Sequence, residues 1–462
     1  MTSPVPKAVF FLVALSSLSA LASRLSAATI ESNNLDGFWR SDGYGLFVEL
    51  KGGVLQTYEV TSISCLPSRS AKLASAANAG LMVFTRGHQT ITVSSDAKSR
   101  VLRMHIDGTA SSIVLHRIAN RPDICREIPT NTPQENYAIF WQTFAEQYPF
   151  FRLRKQDWKV ADKQFRPLVN STTKPDKLFQ IFRKMIEPLQ DSHTGLEAPN
   201  IGAEFDGWRN DPNHLDEHAW EKAVSLIETK YVQGGLRSYC RDHLQFGSLV
   251  GAIGYLRVTT FYDYADVPGY AAELQCLQKS LDTIFDSNIR RHGLVIDVRL
   301  NHGGDDALGL EIASRLTHKK YFAYSKIARN NTDLNAPLHF TAPQPVWVMP
   351  TTRPGFKGKV VLLIGPDTVS AGETFAMALL NRKPRIRRIG VSTQGVFSDI
   401  LGRSLPNGWQ FYLPNEVYLT SEGKAFDGTG VPPDIRVPFF SEADLQNGKD
   451  ATLEEAIKQL AN

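Results

Sequence analysis

Short runs of alternating hydrophobic and polar residues occupy the chain between Leu35 and Arg117. Glycine, serine, aspartate and asparagine separate these runs. A period of two is typical of strands with one buried face. The pattern predicts a small all-β domain over residues 29–128, in which no catalytic pattern is evident.

A helical pattern begins at Thr132, where Thr132-Pro133-Gln134-Glu135 forms a capping box with proline at the first helical position. Asp157 is placed to cap a second helix, and apolar residues from Leu178 to Ile186 recur at the spacing of a third. These signals predict a helical subdomain over residues 129–196.

The last large block alternates strand and helix patterns. Apolar, β-branched runs at Ile253–Val258, Leu294–Val298 and Val360–Ile364 are followed by helical periodicity. Alternation of this kind predicts a mostly parallel sheet over residues 248–440, with functional residues at its carboxyl edge. A connecting segment over residues 197–247 and a C-terminal helix over residues 441–462 complete the expected organisation.

Residues 1–28 have the features of a secretory signal peptide. Lys7 precedes an apolar stretch, Ala8–Ala22, and small residues near Ala28 offer cleavage sites. The stretch is shorter than the roughly 20 residues that span a bilayer. We therefore expect an exported protein, periplasmic or extracellular, with no stable membrane insertion after the signal is removed.

The overall composition is that of a globular protein. The 462 residues carry 51 basic and 47 acidic side chains, a net charge of +4, which does not suggest a nucleic-acid partner. No C-x-x-C pair occurs, and no metal site is expected.

Four cysteines are an even number for an oxidising compartment. Sequence order suggests the pairs Cys65 with Cys125 and Cys240 with Cys276. The other two pairings and four free thiols remain open.

Three motifs combine small, polar residues with a strand or helix end. Ser370 follows the strand Val360–Ile364 and precedes a helix, a place that suits either a helix cap or an exposed nucleophile. Gly303-Gly304 follows the strand Leu294–Val298, where paired glycines can direct backbone N–H groups into an oxyanion site. His193 lies after the third helix, where it could be a general base or a packed residue.

Together these motifs resemble peptidase family S41, the C-terminal processing and tricorn-core serine peptidases. The matching stretches are Leu189-Gln190-Asp191-Ser192-His193-Thr194-Gly195, Ile253-Gly254-Tyr255-Leu256-Arg257, Ile296-Asp297-Val298-Arg299 with Asn301 and Gly303-Gly304, Thr368-Val369-Ser370-Ala371-Gly372-Glu373, and Gly428 with Gly430-Val431-Pro432-Pro433-Asp434-Ile435. The resemblance covers residues 130–440. It implies a crotonase-like α/β core in which Ser370 attacks a peptide carbonyl, and the N–H groups of Ala371 and of Gly303 or Gly304 hold the oxyanion.

The resemblance is closer to the tricorn-like branch than to the processing peptidases. Val396 follows Thr393-Gln394-Gly395, where the processing peptidases have a lysine base. Ser192-His193 instead matches the serine and histidine of the tricorn-like branch, which makes His193 the base and Ser192 its support. That branch also implies an acid, for which Asp427 is the first choice and Glu422 the second.

A PDZ domain is not expected, because about 50 residues between Gly195 and the first core strand are too few for a domain of roughly 90. The sequence thus predicts an exported serine endopeptidase that acts on polypeptides and needs no cofactor. Hydrolysis of non-peptide esters, or ligand binding without catalysis on a peptidase scaffold, are the alternatives. The sequence does not indicate the oligomeric state.

Overall fold

A computed structural model of the protein describes residues 35–77, 80–95, 100–127, 129–208, 215–286, 291–331 and 337–461. The expected signal peptide, residues 1–28, lies outside these ranges. Within them, no helix is both long and apolar enough to cross a membrane.

Eight strands form a closed barrel in the first part of the described chain. They are β1 (Gly37–Ser41), β2 (Leu46–Lys51), β3 (Val54–Val60), β4 (Cys65–Ala77), β5 (Leu81–Arg86), β6 (Gln89–Ser95), β7 (Val101–Ile106) and β8 (Ser112–Ile118). Each strand pairs antiparallel with the next, and β1 closes the barrel against β8. Buried side chains such as Trp39, Phe84 and Leu102 form the core of the barrel. The all-β domain expected from the alternating pattern is confirmed.

The remaining helices and strands form the larger part of the molecule. The helices are α1 (Pro133–Gln147), α2 (Trp158–Phe165), α3 (Pro175–Ile186), α4 (Glu217–Leu226), α5 (Tyr270–Ile284), α6 (Asp306–Ser314), α7 (Ala371–Ala378), α8 (Glu442–Gln446) and α9 (Ala451–Ala461). The strands are β9 (Gly195–Ala198), β10 (Ala203–Asp206), β11 (Gln233–Tyr239), β12 (Leu244–Leu249), β13 (Ile253–Val258), β14 (Gly293–Asp297), β15 (Tyr321–Ala328), β16 (Gln344–Val348), β17 (Lys359–Ile364), β18 (Arg387–Gly390), β19 (Ile400–Ser404), β20 (Gln410–Pro414), β21 (Glu416–Leu419) and β22 (Ile435–Arg436).

The first two helices begin where the capping residues predict. Thr132 Oγ1 accepts the N–H of Glu135 at 3.2 Å, and Asp157 Oδ1 accepts the N–H of Lys159 at 2.9 Å. The aromatic side chains of α1 and α3 pack together and against a four-stranded sheet ordered β10-β9-β20-β19. Two strands of this sheet, β19 and β20, therefore come from a much later part of the chain than the helices that pack on it.

The central sheet has seven strands in the order β11-β12-β13-β14-β17-β18-β22. From β13 to β22 all neighbours are parallel, and every residue of β13 and β14 is buried. One face packs against α5, α6 and α7, and the other against α4 and α9. The predicted α/β core is confirmed.

Two boundaries predicted from the sequence need correction. The sheet begins with β11 and β12, inside the expected connecting segment 197–247, because this antiparallel pair extends the edge beside β13. The expected single helix over 441–462 is two helices, α8 and α9. Gly448 takes a left-handed φ of +58° between them, and Asp450 caps α9 while also accepting a hydrogen bond from Arg299 at 2.9 Å.

Both disulfides suggested by sequence order are present. Cys65, the first residue of β4, is bonded to Cys125, which follows the last strand of the barrel. Cys240, just after β11, is bonded to Cys276 in α5. The second bond fastens the edge of the central sheet to a helix on its face.

Candidate active site

Ser370 lies at the sharp turn between β17 and α7, where its backbone has φ +56° and ψ −122°. A non-glycine residue in this region costs about 1–3 kcal/mol, and such residues cluster at functional sites. The hydroxyl does not cap α7, and no hydrogen bond joins it to another described residue. Of the two roles left open by the sequence, the cap is therefore wrong in this conformation, and the hydroxyl is free.

Glu373 holds the segment that positions Ser370. Its buried carboxylate accepts hydrogen bonds from Thr393 Oγ1 at 2.5 Å, from the N–H of Gly395 at 2.6 Å and from the N–H of Val396 at 2.7 Å. The carbonyl of Val396 in turn accepts the N–H of Ser370 at 3.0 Å. Burial raises the pKa of Glu373 to about 7.

The paired glycines approach Ser370 from the neighbouring strand β14. A Cβ atom on Gly303 would lie 2.7 Å from Ser370 Cβ, closer than real side chains approach, so glycine is required there. The two loops are joined by the N–H of Val369, which donates to the carbonyl of Asn301 at 3.0 Å. This contact places the glycines beside the serine at the carboxyl edge of the sheet.

The two glycines differ in the use of their N–H groups. The N–H of Gly303 donates to Asn301 Oδ1 at 3.0 Å, and Asn301 Nδ2 is itself fixed by the carbonyl of Val258 at 3.0 Å. Gly303 is thus not a free donor in this conformation, which favours Gly304 of the two glycines that the resemblance left open. Over the described ranges, the N–H groups of Gly304 and Ala371 have no acceptor. These two N–H groups are available to an oxyanion.

His193 and Ser192 lie between α3 and β9. Ser192 Oγ donates to Gln394 Oε1 at 2.6 Å, and the N–H of His193 donates to Asp191 Oδ1 at 3.1 Å. Burial lowers the pKa of His193, whereas the nearby carboxylates of Asp191 and Asp399 act in the opposite direction. The imidazole is therefore neutral at pH 7, as a general base must be. Its Nδ1 has no partner among the described residues.

Neither expected acid contacts His193 in the described part of the chain. Asp427 is 8% exposed and its two carboxylate oxygens have no hydrogen-bond partner there. Burial raises the pKa of Asp427 well above its usual value, and Glu373 and Asp191 add to the effect. Glu422 is exposed in the turn after β21, where its carboxylate lies near the hydroxyl groups of Thr420 and Ser421.

A cavity of about 760 Å³ brings four of the eight predicted residues together. Ser370, His193, Ser192 and Gly304 line it, whereas Asp427 and Glu422 do not. The volume is typical of a ligand-binding pocket. The nucleophile, base and oxyanion candidates thus share one cavity, and the expected acid does not reach it.

The barrel forms one wall of this cavity, a role that no sequence pattern indicated. The barrel residues that line it include Tyr44, Met104, Ile106, Gly108 and Ile113. Tyr44 OH donates to Glu416 Oε1 at 2.6 Å, and the carbonyl of Gly108 accepts the N–H of Ala307 at 3.0 Å. The barrel is therefore part of the site.

Five carboxyl groups and a lysine at the cavity were also missed. The carboxyl residues that line it are Asp305, Asp306, Asp367, Asp399 and Glu416. Lys326 lies 2.6 Å from Asp399 Oδ2 and 3.1 Å from Glu416 Oε2. One signal was available in the sequence, because Lys326 interrupts a strand that is otherwise rich in apolar residues. Within the described ranges no cluster of histidine, cysteine or acidic side chains has the arrangement of a metal site.

The fold and the cavity define a mixed α/β protein with a serine at a strand-to-helix turn. Residues 252–437 match the model of peptidase family S41, and residues 129–187 match that of the tricorn protease C1 domain. Residues 252–437 are therefore an S41 peptidase domain. No curated protein matches the sequence.

Two solved structures show the same fold. A protein of Parabacteroides merdae ATCC 43184, described as a candidate peptidase, is 24% identical, with a TM-score of 0.60 over 72% of this chain and 98% of that one. Mature CPAF in complex with lactacystin is 13% identical, with a TM-score of 0.51 over 71% of this chain and 97% of that one. In both cases the similarity to this chain is a similarity of fold.

Proposed function

We propose that the protein is an exported serine endopeptidase that hydrolyses polypeptides through an acyl-enzyme on Ser370. One observation carries the proposal: the free hydroxyl of Ser370 lines the same cavity as the buried, neutral imidazole of His193 and the backbone of Gly304. The S41 peptidase domain supports the peptidase class.

In the first step Ser370 Oγ attacks the peptide carbonyl while its proton passes to the imidazole of His193. The N–H groups of Gly304 and Ala371 stabilise the negative oxygen of the tetrahedral intermediate. The intermediate collapses when His193 returns the proton to the leaving amine, which leaves an ester on Ser370. A water molecule, deprotonated by His193, then hydrolyses the ester and releases the acid.

Ser192 and Asp427 are proposed to support His193. Ser192 is fixed by Gln394, which lies in the segment that Glu373 holds. Asp427 is the proposed acid and Glu422 the second choice, as the resemblance implies. Catalytic hydrogen bonds often close only when substrate is bound, which is compatible with the separation of Asp427 from His193.

Export to the periplasm or the extracellular space is supported by the two disulfides, which persist in oxidising compartments. The proposed partner is a polypeptide substrate, and the proposal includes no nucleic-acid partner.

Fluorophosphonate labelling of the purified mature protein, followed by peptide mapping, tests the function. We expect labelling at Ser370, loss of labelling and a fall in peptide hydrolysis of at least about a thousandfold in Ser370→Ala, and no change in Ser171→Ala, an exposed serine of a distant loop. Unchanged peptide hydrolysis in Ser370→Ala or His193→Ala would exclude the proposal. Matched ester and peptide substrates separate a peptidase from an esterase.

A non-catalytic ligand-binding protein is the second candidate. The observation that favours it is the lack of a carboxylate on His193 Nδ1 in the described residues. Folded, disulfide-bonded protein that fails to label and to hydrolyse peptides would establish this candidate.

A further inference from the structure

We propose that the part of the cavity lined by Asp305, Asp399 and Asn415 is a specificity subsite that binds the positively charged side chain of a lysine or arginine in the polypeptide substrate. The inference rests on the proposed function and adds a substrate class to it.

Asp305 and Asp399 are the accessible carboxylates of this subsite. Asp305 directly precedes α6 and is half-buried, but its side chain neither caps the helix nor pairs with a described cation. The side chain of Asp399 is 41% exposed, with one oxygen on Lys326 and the other 3.2 Å from Tyr418 OH. Both carboxylates therefore face the cavity with capacity for a further donor.

The charge behind these two residues is also negative. Tyr418 OH bridges Asp399 to the buried Asp306, at 3.0 Å from Asp306 Oδ2, and Glu416 lies on the far side of Lys326. Three carboxyl groups, those of Asp306, Asp399 and Glu416, thus surround a single lysine, and that lysine is 1% exposed and already engaged by two of them. A cation entering the cavity would meet an unbalanced negative charge in a partly desolvated place, where electrostatic attraction is strong.

Asn415 supplies an independent sign of a missing ligand. Its side chain lines the cavity, the residue is 1% exposed, and its Nδ2 has no acceptor among the described residues. A buried amide donor without an acceptor is costly, and a substrate carbonyl would satisfy it. The subsite therefore offers a donor for the peptide backbone beside acceptors for a cationic side chain.

The barrel closes the subsite on its other side. A Cβ atom on Gly108 would lie 2.5 Å from the carboxyl carbon of Asp305, so the β7–β8 turn packs directly against that carboxylate. Ile106 and Ile113 of the barrel line the same cavity. Such apolar surfaces suit the methylene groups of a lysine or arginine side chain.

Binding to the Ser370→Ala variant tests the subsite without requiring catalysis. The probes are peptide pairs of identical sequence, blocked at both ends, in which one residue is lysine or its uncharged counterpart norleucine. The substituted position is moved along the peptide, and affinity is measured by calorimetry at pH 8. We expect the lysine peptide to bind about 10-fold to 100-fold more tightly at one position.

Variants identify the carboxylates that are responsible for the tighter binding of the lysine peptide. Asp305→Asn and Asp399→Asn, each added to Ser370→Ala, should bring the lysine-to-norleucine ratio towards one, and either suffices if the other fails to fold. Asp176→Asn, which alters an exposed aspartate of α3, should leave the ratio unchanged. Equal binding of both peptides at every position, no binding of either, or a ratio insensitive to both variants would overturn the inference.

Labelling of the wild-type serine separates this inference from the proposed function. Labelled Ser370 with no preference for lysine contradicts the subsite alone. A preference for lysine without labelling of Ser370 would contradict the proposed peptidase activity. It would still support a cavity that binds a cationic side chain.

Discussion

Tyr44 of the barrel donates a 2.6 Å hydrogen bond to Glu416 of strand β21, and both residues are buried. This bond fastens the barrel to the sheet that carries Lys326, at the edge of the catalytic cavity. We expect Tyr44→Phe to lower the free energy of unfolding by about 2 kcal/mol, because it leaves a buried carboxyl oxygen without its donor. Urea unfolding measures the change.

Tyr412→Phe is the matched control for that prediction. Tyr412 OH donates to Glu197 Oε1 at 2.8 Å, but this pair is exposed to water, which replaces the lost partner. Its removal should cost less than about 0.5 kcal/mol. Equal losses in the two variants would show that the barrel contact contributes no more than a surface bond.

The rate of fluorophosphonate labelling should rise with pH, with a midpoint below pH 6.5. The general base acts in its neutral form, and burial lowers the pKa of His193, so the imidazole loses its proton at a lower pH than a free histidine. His302→Gln, which alters the exposed histidine of the cavity, should keep the same midpoint. A midpoint at or above pH 7 would contradict the assignment of His193 as the base.

Selectivity for lysine should increase as the pH rises from 5 to 8. Burial, together with the nearby carboxylates of Glu273, Asp306, Asp399 and Asp107, raises the pKa of Asp305 to about 7. At pH 5 the carboxyl group is protonated and attracts a cation weakly, whereas at pH 8 it is ionised. The ratio of lysine to norleucine binding, measured with Ser370→Ala at both values, checks this. A ratio that falls with pH would be inconsistent with a role for Asp305.

Glu373 should make stability depend on pH. Its pKa is raised to about 7 by burial, so its contribution to folding is present below the unfolded pKa and is lost as the pH rises through 7. Relative to Glu373→Gln, the wild-type protein should therefore lose about 2 kcal/mol of unfolding free energy between pH 5 and pH 8. Glu187→Gln, at an exposed position, should show no such pH-dependent difference. A wild-type advantage that grows with pH would refute the expectation.

The helices and strands could be predicted from short sequence patterns because the interactions that start and end them are local. The capping residues Thr132 and Asp157 define helix starts, and the apolar run before Ser370 defines a buried strand. Placing Ser370, His193 and Gly304 in one cavity needed the order of several motifs, which the family resemblance supplied. The geometry supports that grouping, while the role of Asp427 stays a prediction.

The acidic side of the cavity could not be predicted, because it depends on packing between distant segments. Asp305 owes its raised pKa to burial beneath Gly108, and nothing near either residue in the sequence indicates the contact. The use of the Gly303 N–H by Asn301 likewise depends on the side-chain conformation within a turn. Such contacts emerge only from three-dimensional packing.

The bond between Tyr44 and Glu416 also bears on when the activity can arise. It joins residues 372 positions apart, so this contact between the barrel wall and the acidic wall of the cavity forms only after all of the intervening chain has been synthesised. The barrel, whose contacts are local, can fold well before that moment. A ribosome-bound chain that ends before Glu416 therefore has no complete cavity, so the proposed peptidase would acquire its site only when synthesis is nearly finished.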